Sequence, residues 1–287
     1  MTLKLGHREF AEDRTLVMAI LNRTPDSFYD RGATWAEGQA LDRVARVVEE
    51  GAEIVDVGGV KAGPGAPVDA AEEIRRVVGF VARLRASYPD LVVSVDTWRA
   101  EVARAACAEG ADLLNDAWGG HDPGLPEVAA EFGAALVCTH TGGLAPRTPP
   151  HRVEYADVMA DVVSATTAQA ERAVRLGVDP RSVVVDPAHD FGKSTFHSLE
   201  VTRRLGELTA TGWPVMVSLS NKDFVGETLD RPRGERLVGT LAATTLCAQA
   251  GARIFRVHEV SPTRQAVDMA LSVLGRRPPS RVVRGVA

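Results

Sequence analysis

The 287-residue chain has few cysteines, and none of them is spaced as a pair. Cys107, Cys138 and Cys247 form no Cys-x-x-Cys motif, and their odd number argues against a disulfide framework. We therefore expect buried, inert thiols. The chain also lacks any run of about 18 apolar residues and an N-terminal signal-peptide core. These absences exclude a membrane span and lead us to expect a soluble, cytoplasmic protein.

A concentration of basic charge is also missing. The 33 Lys and Arg residues are scattered, the net charge is −5, and pairs such as Arg75/Arg76 and Arg203/Arg204 stand beside acidic residues. No basic stripe with interleaved aromatic residues is present, so the sequence does not predict a nucleic-acid partner. No Gly-x-Gly-x-x-Gly motif opens a helix after a strand, which argues against a dinucleotide-binding open sheet.

The chain does contain eight short apolar strand patterns that alternate with eight helical patterns. The predicted strands are Leu16–Leu21, Ile54–Val57, Leu91–Val95, Leu113-Leu114, Ala135–Cys138, Val183–Val185, Val215–Leu219 and Ile254–Val257, and a loop at Arg23–Gly32 follows the first. The predicted helices are Trp35–Glu50, Ala70–Ser87, Arg99–Glu109, Leu125–Phe132, a long helix that ends at Leu176, His197–Ala210, Gly234–Ala250 and Pro262–Leu274. Several helix-to-strand joints repeat a Gly-Ala pair, as at Gly51 and Gly251, which is typical of a helix that ends in a left-handed glycine. Strands alternating with helices predict right-handed crossovers and a parallel sheet. We predict an α/β fold, a single-domain (β/α)8 TIM barrel over residues 15–275, with a polar surface lead-in at 1–14 and a tail at 276–287.

Most of the predicted strands end in a polar residue, and in a barrel such strand ends converge on one mouth. Two chemical groups are present among them. The first suits a flat, nitrogen-rich heterocycle and comprises Asp96, Asn115, Asp186 and Lys222. The second suits a phosphate or diphosphate and comprises Asn22, Arg256 and His258. A hydrated Mg2+ held by Asn22 and phosphate oxygens would fit the second group, because Mg2+ often uses few protein ligands.

Two other barrel chemistries are considered. A transition-metal hydrolase would use His140, His189 and His258, but the His-x-His expected after the first strand is replaced by Asn22-Arg-Thr. An aldolase-like enzyme would use Lys222 as a Schiff-base lysine. That lysine lies past the strand end between Asn221 and Asp223, where we expect it to stay protonated.

At these positions the chain resembles the dihydropteroate synthases over most of its length. Seven segments match in order: Ile20–Phe28, Asp56–Gly59, Ser94–Thr97, Asn115-Asp116, Asp186-Pro187 with Phe191–Lys193, Ser220 with Lys222, and Arg256–His258. Each segment is weak evidence alone, and the ordered set is specific.

The resemblance implies a barrel that binds a hydroxymethyl-dihydropterin diphosphate. The pterin would be held by Asp96, Asn115, Asp186 and Lys222. The diphosphate would be held by Asn22, Arg256 and His258, with Mg2+ on Asn22. The implied catalytic residues are Asp96, Lys222 and Arg256, in a reaction that expels diphosphate and lets an arylamine capture the pterin cation. The family also implies a homodimer through the outer helices.

Departures from the family motifs are concentrated around the second substrate. The family's Ser-Thr-Arg after the second strand is Lys61-Ala62-Gly63 here, and its Ser-Arg-Lys-Ser is Ser220–Asp223. The family's Phe-Gly-Phe-Gly-Lys is His189–Lys193, which keeps Phe191, and its Met-His-Met is Thr139–Thr141. Asp223 is expected to repel an anionic aminobenzoate modestly. The same departures resemble the divergent second copy of this family in actinobacteria, which is thought not to make dihydropteroate.

Three functions follow from these motifs. The main expectation is a transferase that condenses the pterin diphosphate with p-aminobenzoate. An alternative is an inactive paralogue that holds the pterin in a binding or regulatory role. A third is a transferase that uses another amine, one that Lys61 and Asp223 would accept.

Overall fold

A ring of parallel strands surrounded by helices makes up most of the described chain. The computed structural model describes residues 2–24, 37–63, 65–148 and 153–285. The strands are Leu3–Leu5 (β1), Arg8–Phe10 (β2), Leu16–Asn22 (β3), Ile54–Gly58 (β4), Val92–Asp96 (β5), Leu113–Asp116 (β6), Ala135–Thr139 (β7), Val183–Asp186 (β8), Met216–Val217 (β9) and Ile254–Val257 (β10).

The helices alternate with these strands. They are Glu37–Glu49 (α1), Ala70–Ser87 (α2), Ala100–Ala108 (α3), Leu125–Phe132 (α4), Val158–Arg175 (α5), Thr195–Arg203 (α6), Leu205–Thr209 (α7), Asp223–Leu229 (α8), Leu237–Gln249 (α9) and Val260–Val273 (α10). The predicted loop after the first strand, from residue 25, and the predicted helix start at Trp35 lie outside the described residues.

Strands β3 to β10 form one parallel sheet in the order β8-β7-β6-β5-β4-β3-β10-β9. A parallel bridge between Val185 and Val215 joins β8 to the start of β9 and brings the two edges together. Each strand of this sheet lies beside the strand that follows it in sequence. In addition β10, the last strand, pairs with β3, the first strand of the sheet. The predicted single-domain (β/α)8 barrel is confirmed.

Side chains alternate across each strand between two cores, because the side-chain period of a strand is two residues. On β4, Val55 and Val57 belong to the outer core between the sheet and the helices. Ile54 belongs to the inner core, together with Leu16 of β3 and Val92 of β5. The inward side of each strand is therefore apolar near its amino end.

The N-terminal segment packs under this inner core. β1 and β2 pair as an antiparallel hairpin, and Leu3 and Leu5 are fully buried against the barrel interior, with Phe10 beside them. The expectation that residues 1–14 form a polar surface lead-in is wrong for these positions. Their apolar side chains alternate with Lys4 and Glu9, so one side of the hairpin closes the amino end of the barrel.

Three elements differ from the sequence prediction. The seventh barrel strand, expected over Val215–Leu219, is Met216–Val217, with Val215 in a single bridge to Val185. The helix expected over 197–210 is interrupted at Arg204, which lies two residues before Gly206, a poor helix former. α8 was not predicted.

Two sequence expectations about the whole chain can be compared with the structure. All three cysteines are buried, and burial raises the pKa of Cys107 and of Cys247 to about 12, which makes these thiols poor nucleophiles. Among the described residues, no helix is both long and apolar enough to cross a membrane.

Candidate functional site

The inward side of the strands changes from apolar to polar toward their carboxyl ends. On β4 the inward residue after Ile54 is Asp56, and on β5 the inward residues after Val92 are Ser94 and Asp96. On β10, Arg256 follows Ile254 in the same way. The barrel therefore places a layer of charged and polar groups directly above its apolar inner core.

Arg256 forms the centre of this layer. Its Nε donates to Asp56 Oδ2 at 2.6 Å, and its Nη2 donates to Asp96 Oδ2 at 2.7 Å. Asp56 also accepts from the Ser94 hydroxyl at 2.6 Å and from Asn115 Nδ2 at 3.0 Å. A fully buried carboxylate is thus satisfied by three donors on three strands, which fixes the orientation of Arg256, Asp96 and Asn115.

Asp56 itself was not among the predicted site residues. The sequence contained a signal for it, because Asp56 lies two residues after Ile54 and must share its inward face. The predicted residues Asp96, Asn115 and Arg256 lie together because each contacts Asp56 or a partner of Asp56.

Burial changes the pKa values of Asp96 and Arg256 from those of an exposed ion pair. Burial raises the pKa of the Asp96 carboxyl to about 7, although the guanidinium of Arg256 opposes the rise. Burial alone would lower the pKa of Arg256, but Asp56 and Asp96 outweigh it and leave that pKa above its ordinary value. Asp96 can therefore exchange a proton near neutral pH while Arg256 stays charged.

A second group of charges, Asp186 and Lys222, lies at the end of β8 and in the segment after β9. Asp186 accepts the Ala188 N–H at 2.7 Å, and burial raises the pKa of its carboxyl, with the ammonium of Lys222 opposing the rise. Lys222 donates to the His189 carbonyl, and its Nζ lies 4.9 Å from the centre of the Phe191 ring. The predicted residues Asp186, Lys222 and Phe191 are therefore brought together.

Two buried polar atoms at this mouth are available to hydrogen-bond a ligand. Asn115 Oδ1 and Thr139 Oγ1 are buried and have no hydrogen-bond partner within the part of the chain that the structure describes. Both residues stand at carboxyl ends of strands, Asn115 beside Asp96 and Thr139 beside Asp186. A buried polar atom without a partner costs free energy unless a ligand or water completes it.

The predicted anion-binding residues border the same opening. Asn22 ends β3 opposite Gly58, and a Cβ on Gly58 would lie 3.8 Å from Asn22 Oδ1 and 3.9 Å from Asp96 Oδ2. His258 directly follows β10, where its N–H donates to Ser220. An amide oxygen and a carboxylate oxygen therefore stand near each other, next to a glycine whose lack of a side chain keeps the approach open.

The second-substrate region is built differently from the first. Asp223 begins α8 and accepts from Arg236 Nη1 at 2.7 Å and from Arg233 Nη2 at 3.4 Å. Burial would raise the pKa of Asp223, but the two arginines leave that pKa below its ordinary value. The charge that the sequence analysis expected to repel an aminobenzoate is therefore largely compensated by Arg236.

The altered loop after β4 contacts another loop. Arg147, from the loop after β7, donates through Nε to the Gly63 carbonyl at 3.2 Å and through Nη1 to the Ala66 carbonyl at 2.8 Å. Within residues 2–24, 37–63, 65–148 and 153–285, no hydrogen bond joins Lys61 or Ala62 to Arg256 or to its neighbours Asp56, Asp96 and Asn115. These two predicted residues are not brought into the central group.

The histidines serve as hydrogen-bond partners. His140 Nδ1 accepts from the buried Lys193 ammonium at 2.7 Å, and its Nε2 lies 2.9 Å from Asp161. Burial lowers the pKa of His140 to about 4 and that of Lys193 to about 7. His189 packs against Phe224 with ring centres 5.5 Å apart. In the described ranges, no three His, Cys, Asp or Glu side chains group as metal ligands.

The Schiff-base alternative for Lys222 fits the geometry poorly. Burial lowers the pKa of Lys222, while Asp190 and Asp186 act in the opposite direction. Its amine is also engaged with the His189 carbonyl and lies over Phe191. A Schiff-base lysine needs a desolvated, neutral amine that faces the substrate, so the lowered pKa of Lys222 is compatible with that chemistry, and the hydrogen bond to the His189 carbonyl is the contact that opposes it.

Known structures share this arrangement of strands. The chain is similar to Yersinia pestis dihydropteroate synthase, solved as a sulfonamide drug complex, with a TM-score of 0.90 and 33% identity. The similarity covers 96% of this chain and 100% of that chain.

Two mycobacterial relatives bear on activity. The Mycobacterium leprae protein is 61% identical over 291 residues, covering 100% of both chains, and the Mycobacterium tuberculosis protein is 61% identical over 284 residues, covering 98% of this chain and 89% of its own. Both are named inactive dihydropteroate synthase 2. The expectation of a transferase that condenses the pterin diphosphate with p-aminobenzoate or another amine is contradicted by these relatives.

Residues 18–258 match the family described as pterin binding enzyme. The matched range begins in β3 and ends directly after β10. It contains the site residues described above: Asn22, Asp56, Asp96, Asn115, Asp186, Lys222 and Arg256. The chain therefore belongs to the pterin-binding family of the dihydropteroate synthases.

Proposed function

We propose that this protein is a catalytically inactive member of its family that binds a hydroxymethyl-dihydropterin diphosphate without condensing it with an amine. The observation that carries the proposal is the buried acceptor Asn115 Oδ1, which lies in the polar layer without a partner in the described chain. An aminopyrimidinone ring presents N–H donors along one edge, so such a ring would complete this acceptor.

The charged groups around Asn115 support the same ligand. Asp96 and Asp186 can accept from ring N–H groups, and Lys222 can donate to a ring oxygen or nitrogen. Because Asp96 has a pKa of about 7, it can adapt its protonation state to the ring tautomer that binds. Arg256 would face the diphosphate while it remains bonded to Asp56.

The diphosphate would bring Mg2+ with it. Asn22 supplies one amide oxygen at the opening, and Mg2+ commonly completes its six ligands with phosphate oxygens and water. The nearby carboxylates of Asp56 and Asp96 are engaged by Arg256, so we do not assign them to the ion. The ion would neutralise the diphosphate, and His258 and Arg256 would fix its position.

Calorimetric titration tests this proposal. We expect the pterin diphosphate to bind in a Mg2+-dependent manner, and Asp96→Asn and Lys222→Ala to weaken binding by about tenfold or more, because each removes a charged hydrogen-bond partner. Glu109→Gln, at an exposed carboxylate on the opposite end of the barrel, is the control and should bind as the unmodified protein does. Equal affinity in the site variants and the control would contradict the proposal.

We also propose that two copies associate through α9 and α10. α9 contains no charged residue, and its outward side exposes Val238 and Leu246, 81% and 56% accessible. On the neighbouring α10, Met269 and Val273 are 64% and 73% accessible. An exposed apolar stripe of this kind normally marks a protein–protein contact, and a second copy would cover it.

A further inference from the structure

Asp190 is a half-buried residue in a backbone conformation that suits glycine. Its φ of 69° lies in the left-handed region, where a residue with a Cβ is less stable than glycine. The family motif that the sequence resembles has glycine at this position, between the residues that align with His189 and Phe191. An aspartate that replaces glycine there must gain enough from its side chain to offset the strain.

The side chain of Asp190 accepts hydrogen bonds that offset this strain, and it lies beside the predicted second-substrate residue Phe191. Its Oδ1 accepts from the Ser198 hydroxyl at 3.2 Å, and its Oδ2 accepts from the Phe224 N–H at 3.2 Å. Its own N–H donates to Ser198 at 3.1 Å. The carboxylate is therefore held by two donors, the Ser198 hydroxyl and the N–H of Phe224, which lies two residues after Lys222.

Asp190 lies between the two residues that contact the Lys222 amine, His189 and Phe191. Lys222 donates to the carbonyl of His189, the residue directly before Asp190. Among the charges that offset the burial of the ammonium, Asp190 acts more strongly than Asp186. Two carboxylates, those of Asp190 and Asp186, therefore act on the Lys222 ammonium before any ligand arrives.

Asp223, the other carboxylate that departs from the family motif, does not have this role. It is more than half exposed and is paired with Arg236 at 2.7 Å. Asp190 has no arginine partner of this kind in the described chain, and its carboxylate accepts the Phe224 N–H. Burial raises the pKa of Asp190, and the ammonium of Lys222 opposes the rise. The negative charge that an incoming anion would meet beside Lys222 is therefore that of Asp190.

We propose that Asp190 determines the charge of any second ligand beside the pterin, so that the site admits neutral or cationic aromatic amines and excludes aryl carboxylates. This inference rests on the proposed pterin binding. A carboxylate on the ligand would compete with Asp190 for Lys222 and for the Phe224 N–H, and the two anions would repel each other.

The proposed charge rule is that the site admits neutral or cationic aromatic amines and excludes aryl carboxylates. Two isosteric ligands of different charge test it. p-Aminobenzoate and its neutral amide, p-aminobenzamide, are titrated with and without the pterin diphosphate bound. We expect the unmodified protein to bind the amide at least about tenfold more tightly than the carboxylate. Asp190→Asn and Asp190→Gly should each reduce that ratio by about tenfold, because each removes the opposing charge. Both residues tolerate a left-handed backbone, so both variants should fold.

Glu227→Gln is the matched control. Glu227 is an exposed carboxylate on α8, so its removal changes the net charge equally without altering the contacts of Asp190. An amide-to-carboxylate ratio that is unchanged in both Asp190 variants, or that changes equally in Glu227→Gln, would overturn the inference. The pterin titration alone reports on the proposed function, so loss of pterin binding in the unmodified protein is distinguishable from failure of the charge rule.

Discussion

At the scale of single residues, one buried carboxylate organises the mouth of the barrel. Asp56 accepts from Arg256, Asn115 and Ser94, and through Arg256 it positions Asp96. A buried charge is stable only when its lone pairs are satisfied, so each of these donors is held in one orientation. The groups that would meet a ligand are therefore arranged before it binds.

The raised pKa of Asp96 predicts a pH dependence of stability. Its ordinary value is 3.8 and burial raises it to about 7, so between these values the folded protein holds a proton that the unfolded chain releases. The Asp96 contribution to the free energy of unfolding should fall as pH rises from about 4 to about 7. Asp96→Asn should remove that part of the slope in urea-unfolding curves measured across this range.

An exposed carboxylate provides the comparison for this experiment. Asp90 lies on the surface before β5, and Asp90→Asn should retain the slope of the unmodified protein. An Asp96→Asn protein with an unchanged slope would show that this carboxyl does not keep its proton in the folded state.

At the scale of elements, strand and helix patterns were readable wherever a strand was long enough to alternate or to run apolar. β3, β4 and β8 were predicted within a residue or so of their ends. The hairpin β1–β2 was missed because each strand has three residues, too few to separate from a polar segment. α8 was missed because its seven residues begin directly after Lys222, without a capping residue.

The apolar stripe on α9 and α10 predicts the assembly state. We expect a dimer in sedimentation equilibrium at micromolar concentration. Leu246→Glu should shift it toward monomer, because a carboxylate would be buried at the contact. Phe196→Glu is the matched control: Phe196 is an 83% exposed apolar residue on α6, outside the stripe. A monomeric unmodified protein, or equal dissociation in both variants, would contradict this assembly.

At the scale of the whole molecule, the parallel barrel explains why distant polar residues could be grouped from the sequence. Asn22, Asp96, Asn115, Asp186 and Arg256 come from five strands, and the fold places them around one opening. Asp190 and the Arg236–Asp223 pair could not be placed in this way, because they lie in loops and in a short helix whose paths no periodicity encodes.

One assay distinguishes pterin binding without condensation from catalysis. The protein, at a concentration above that needed to bind the pterin diphosphate, is incubated with Mg2+, the pterin diphosphate and p-aminobenzoate, and bound pterin and released diphosphate are measured on the same sample. We predict saturable binding of the pterin with no dihydropteroate and no diphosphate release. Dihydropteroate formed in proportion to the protein would contradict it.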